Sequence, residues 1–142
     1  MSIVSAPGLK INHNKVGKKV LPSYAYYYIN KFNLNQKIME RLSLWESSHF
    51  KKKHTNKRYW GRYMIGKDTL KDYCKLADIK FPEKWRSYLL DDINNCFITY
   101  YLCSNFLARG YSYKEFVQRW LFGEEGIRSG RWSYSYENKI FR

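Results

Sequence analysis

The sequence predicts a mainly α domain of about five helices around one long central helix, residues 82–109, with a minor β ribbon beside it. Three observations predict this. Between Phe81 and Gly110, the residues Trp85, Leu89, Ile93, Cys96, Tyr100, Cys103 and Leu107 recur at spacings of three and four, which draws one apolar stripe along a helix face. A shorter stripe of the same period joins Leu34, Ile38, Leu42 and Trp45. Ser112 and Glu115 form an S-x-x-E capping box ahead of Phe116, Trp120 and Leu121. The alternative fold is a winged-helix-like α+β arrangement in which Cys96 to Cys103 is a strand, because Ile98, Thr99, Tyr100 and Tyr101 all favour strands.

Taken in order, residues 1–21 hold Pro7, Gly8, Gly17 and four lysines with little periodicity, and are expected to be a flexible basic arm. Residues 22–142 are expected to form a single globular domain. Pro22 and Ser23 give a helix-start signal before Tyr24, Tyr27, Tyr28 and Phe32, although so aromatic a segment also suits an extended chain. Asn33 is a suitable N-cap for the helix running towards Phe50. Residues 57–65 have the composition of a short strand, and Trp132, Tyr134 and Tyr136 alternate with serines as its partner would. Asp68 or Thr69 opens the next helix, with Leu70, Tyr73 and Ala77 on one face. Pro82 suits a first helical position in the long helix, Glu83 favours the positive end of its dipole, and Arg109 before Gly110 marks its stop. Cys96 to Leu107 is apolar almost all round, so it should be buried on several sides. Gly123, Gly126 and Gly130 then interrupt regular structure.

A chain of 142 residues suits one domain, which can bury roughly 70% of its unfolded surface. Its 44% hydrophobic and 19% aromatic content argues against disorder over most of the length. Cys74, Cys96 and Cys103 form no CxxC pair and leave an odd thiol, so buried free cysteines in a reducing, cytoplasmic setting are expected rather than a zinc knuckle or disulfide framework. No apolar run reaches the roughly 18 residues of a transmembrane helix, and the N-terminus lacks a signal-peptide core. The richness in Lys, Asn, Tyr, Ile and Phe is what an AT-rich genome encodes, as in a phage or mobile element.

The formal net charge of +14 is unevenly placed. Residues 1–67 carry 14 Lys and Arg against Glu40 and Glu46, so almost all the excess is N-terminal. That asymmetry calls for a polyanionic partner, nucleic acid before an anionic membrane surface. Its strongest local expression is residues 49–67, where no acid interrupts Lys51, Lys52, Lys53, Lys57, Arg58, Arg62 and Lys67, and Tyr59, Trp60 and Tyr63 are interleaved. Cations neutralise phosphates while ring faces accept stacked bases, and this mixture leans towards single strands or RNA loops over duplex DNA. Residues 69–89 loosely resemble a helix-turn-helix with Asp78 where a turn glycine is usual, which adds Lys84 and Arg86 to the candidate contacts.

The expected function is therefore a small, non-enzymatic nucleic-acid-binding regulator or accessory factor acting on RNA or DNA through its N-terminal half. A viral or mobile-element effector that docks its basic face on a protein or nucleoprotein is the alternative. A metal-free ribonuclease using His54, a histidine set among lysines, as acid or base comes third. Glu46 and His49 make a lone E-x-x-H, short of a di-iron set. There is no P-loop, G-x-G-x-x-G, nucleophile elbow or H-E-x-x-H, so no catalytic residue, metal or cofactor is assigned.

Overall fold

A computed structural model describes residues 19–142. The expected arm therefore lies outside the described residues up to position 18. Its last residues belong to the folded body: Leu21 is buried, and the Val20 and Leu21 amides donate to the Tyr26 hydroxyl (3.1 and 3.2 Å), which itself donates to Glu40 (2.7 Å).

Seven helices are present among the described residues: α1 (Ser23–Lys31), α2 (Gln36–Ser47), α3 (Lys67–Ala77), α4 (Trp85–Leu90), α5 (Asp92–Ala108), α6 (Tyr113–Arg128) and α7 (Tyr134–Phe141). Between α2 and α3 lie three two-residue strands, β1 (His54–Thr55), β2 (Tyr59–Trp60) and β3 (Ile65–Gly66), paired antiparallel in the order β1-β2-β3. The fold is thus mainly α with a small antiparallel ribbon. Cys96 to Cys103 lies wholly within α5, which removes the winged-helix alternative.

The expected long helix is two helices meeting at Asp91. That residue is extended (φ −70°, ψ 114°), closes α4, and caps α5 by accepting the Asn94 amide (3.2 Å), the role its short carboxylate favours. The interruption resets the helical phase, so Ile93, expected on the stripe, points to solvent. Pro82 is not a first helical residue either, since α4 begins at Trp85 after an irregular segment from Asp78. Arg109 does end α5, followed by Gly110 at φ +96°.

Asn33 lies just past the end of α1, in the left-handed region at φ 56°, and Asn35 is the cap of α2, accepting from the Ile38 amide (3.0 Å). Both positions suit a short polar side chain, one in a left-handed turn and the other at a helix cap. The expected partner strand at 131–136 does not form. Ser133 instead accepts the Tyr136 amide (3.1 Å) and starts α7, so the ribbon pairs only with its own sequence neighbours. The Ser112–Glu115 box is complete, with both reciprocal bonds made (2.9 and 3.1 Å). Gly123, at φ 73° and ψ 170°, kinks α6.

Helix α5 is central because it is buried on two sides. Cys96, Tyr100, Cys103 and Phe106 face a core shared with α1, α2, α6 and α7, while Ile98 faces a second cluster with Ile65, Leu70, Tyr73, Cys74 and Leu89. The three cysteines are free and buried. Burial pushes the Cys96 thiol up to about 12, far from a reactive thiolate.

Candidate nucleic-acid interface

The basic ribbon owes its shape to left-handed backbone. Asn56 and Lys57 (φ 53° and 56°) form a primed turn closed by the Arg58 amide on the Thr55 carbonyl (3.0 Å), and the twist of such a turn matches a two-stranded ribbon. Lys57 and Arg58 are thereby placed at the hairpin tip, both exposed. The His54 ring lies against Trp60 (5.0 Å between centroids), and its Nδ1 accepts the Lys57 amide (3.2 Å).

Three two-residue strands cannot hold themselves together, and α5 supplies what is missing. Asn95, fully buried, accepts the Tyr63 amide (2.8 Å) and donates to the carbonyls of Trp60 and Leu89 (2.9 Å each). Gly61 makes the approach feasible: at φ +85° a Cβ there would stand 2.1 Å from Asn95 Nδ2. Trp120 of α6 donates to the Tyr63 carbonyl (2.8 Å) from another side.

Beside it runs a second polar network. Arg62, only 6% exposed, grips Asp92 with two donors (Nε–Oδ1 3.0 Å, Nη2–Oδ2 2.8 Å) and donates to Ser43 Oγ (3.2 Å). Tyr24 donates to the same carboxylate (2.5 Å). Burial works against the Arg62 charge, but the Asp92 contacts outweigh it and raise its pKa.

These contacts correct two expected site residues. Arg62 is committed to Asp92 and does not reach for phosphate. Tyr63 is wholly buried, its hydroxyl shared with Tyr100 (2.6 Å) and the Met39 carbonyl (3.1 Å), so it offers no face to a base. Trp60 is half-buried against the second core cluster, and its indole N–H finds no partner among the described residues. The exposed ring of the ribbon is Tyr59, at 48%.

Five of the expected residues, Lys57, Arg58, Tyr59, Lys67 and Arg86, line one cleft of about 640 Å³. Its other wall is α6 around the Gly123 kink. Trp85 joins them, with the Arg86 guanidinium 4.5 Å and the Lys67 ammonium 6.0 Å from its ring centre. Asp68, Asp72, Glu124 and Glu125 also border the space, but Glu124 is paired with Arg119 (2.7 Å) and Glu125 with Arg128 (2.9 Å).

Lys51, Lys52 and Lys53 are exposed but lie outside this cleft. They follow three consecutive left-handed residues, Ser48, His49 and Phe50 (φ 51°, 56° and 70°), a run that costs on the order of 1–2 kcal/mol per residue. The turn is held by the Phe50 amide on Ser47 Oγ (2.7 Å) and by His49 Nδ1 against Ser43 Oγ (2.9 Å). Lys53 donates to the Phe50 carbonyl (2.7 Å) with its ammonium over that ring. Lys84 is exposed beside Trp85. The helix-turn-helix resemblance weakens: Asp78 does take the left-handed glycine role (φ 54°), yet residues 78–84 are a long connection and the second helix has only six residues.

Sequence reasoning missed Trp85 as a cleft residue, because its spacing put it on the core stripe. It also missed Asn95, Asp92 and Arg119, whose partners are distant in sequence. No cluster of three or more His, Cys, Asp or Glu suited to a metal exists among the described residues. Glu46 turns to the Tyr136 hydroxyl and His49 to Ser43, so the E-x-x-H pair is not assembled as a ligand set. Among the described residues, no helix is long and apolar enough to cross a membrane. No protein-family model, curated protein or solved structure matches the chain.

Proposed function

We propose that this protein binds nucleic acid along the cleft between the ribbon tip and α6, and acts as a non-enzymatic regulatory or accessory factor. The observation that carries the proposal is the convergence of Lys57, Arg58, Lys67 and Arg86 around the rings of Tyr59 and Trp85. Four cations in one concave space form a phosphate track, and two aromatic rings among them are surfaces that a merely solvating basic loop has no use for. Cleft residues come from both halves of the chain, so the N-terminal charge supplies the ribbon while Arg86 and α6 complete the wall.

The test is the salt dependence of binding to labelled oligonucleotides. Replacing Lys57 and Arg58 together with Ala is expected to weaken binding to every sequence and to flatten the log–log salt slope by about 2, if each contacts one phosphate. Replacing Lys51, Lys52 and Lys53 should have the smaller effect, because they lie outside the cleft. Unchanged affinity and slope in the Lys57/Arg58 variant would overturn the proposal. A partner protein captured equally well after nuclease treatment would instead favour docking on an acidic protein.

A further inference from the structure

The cleft does not end at α6. A second cavity of about 640 Å³ shares Thr69, Asp72, Arg119, Trp120, Gly123 and Glu124 with the first, so the two adjoin along that shared lining. The character of the groove changes along it. At its far end the Phe106 and Tyr111 rings are stacked, 4.3 Å apart and 12° from parallel, with Phe106 buried beneath and Tyr111 38% exposed. Two guanidiniums flank the pair: Arg109 is 5.4 Å from both ring centres, and Arg119 is 5.2 and 5.1 Å from them. Arg109 has no carboxylate partner among the described residues.

We infer that Tyr111 is a stacking platform for an unpaired base, which makes single-stranded nucleic acid the ligand of the groove. The inference rests on the phosphate track proposed above and adds the kind of strand. A ring already backed by a buried ring is held flat, so stacking a base on its free face orders little that is not ordered already. Arg109 supplies charge for the adjoining phosphate, while Arg119, held by Glu124, offers a planar edge beside the rings. A duplex has no unstacked base to offer, and an acidic peptide gains nothing from a rigid aromatic face.

Binding is measured with single-stranded DNA and RNA oligonucleotides and with the corresponding duplexes, using the full chain. Tyr111→Ala is expected to weaken single-strand binding by about tenfold, with an unchanged salt slope and little effect on duplex, whereas Tyr111→Phe retains affinity. The DNA and RNA arms show which strand is preferred. A single strand carrying a fluorescent base analogue at successive positions should lose fluorescence at one position on binding the unaltered protein, a readout independent of any variant. If Tyr111→Ala leaves single-strand affinity intact while Lys57/Arg58 replacement abolishes it, the stacking platform is refuted and the charged cleft stands. If neither variant changes binding, both fall. Equal losses on single strand and duplex, or no change in fluorescence at any position, also refute the platform.

Discussion

Glu46 is expected to make the protein less stable as pH rises through neutrality, opposite to the usual behaviour of a buried carboxylate paired with a cation. It sits on α2 and receives the hydroxyl of Tyr136 from α7, a polar tie between those helices beside the Arg41 bond to the Ile140 carbonyl (3.0 Å). Burial pushes its pKa from 4.5 up to about 7, against smaller downward effects of the Tyr136 bond and Lys52. The folded state therefore holds a proton that the unfolded chain has released. The favourable contribution is complete below about pH 4.5 and is lost as pH rises to about 7. The interval of about 2.5 pH units at 1.36 kcal/mol per unit sets an upper size of about 3 kcal/mol. Burial moves His49 the other way: its pKa is lowered from 6.5, so its contribution is present above 6.5 and is lost on acidification. Comparing two proteins that share His49 cancels that contribution. Glu46→Gln mimics the protonated acid, and urea unfolding from pH 5 to 8 should find it about as stable as the parent at the acid end and more stable by about 1 to 3 kcal/mol at pH 8. Parallel pH profiles for the two proteins would refute the reasoning.

Two further substitutions probe the buried frame of the cleft. Asp92→Ala leaves Arg62 buried without its counter-charge and should cost about 3–5 kcal/mol, read as a fall in the urea midpoint. Gly61→Ala puts a Cβ 2.1 Å from Asn95 Nδ2 and 2.6 Å from the Leu89 carbonyl at a positive φ, and should cost more than about 3 kcal/mol, seen as a large drop in melting temperature. A Gly61→Ala variant as stable as the parent would show that the clamp around Asn95 is dispensable.

What was legible in the sequence is what neighbours decide. The Ser112–Glu115 box, the stop at Gly110 and the two-sided burial of α5 all follow from residues within a turn or two of each other. Asn33 and Asn35 show the limit of that logic. Either residue type caps a helix or takes a left-handed turn, and which does which is fixed by how α1 and α2 pack. The alternation Trp132, Tyr134, Tyr136 is equally compatible with strand and helix, and Ser133 decides it by capping. Within the candidate site, Lys57, Arg58, Lys67 and Arg86 were visible because exposed cations announce themselves, and Tyr59 because it is interleaved among them. Arg62 looked the same in sequence, and only Asp92, thirty positions later, takes it out of solvent. Trp85 kept its core-like spacing and packs against the second core cluster, yet it also borders the cleft.

The ribbon's dependence on Asn95 sets an order of events during synthesis. The strands are complete by Gly66, but the side chain that fastens Trp60 and Tyr63 is made about thirty residues later. At roughly 5–20 residues per second that is a lag of about 2 to 6 seconds. Until then Lys51 to Lys67 lacks the Asn95 side chain that fastens it, while its charge already attracts polyanions. Docking of α5 closes that interval and makes the segment one wall of a defined groove.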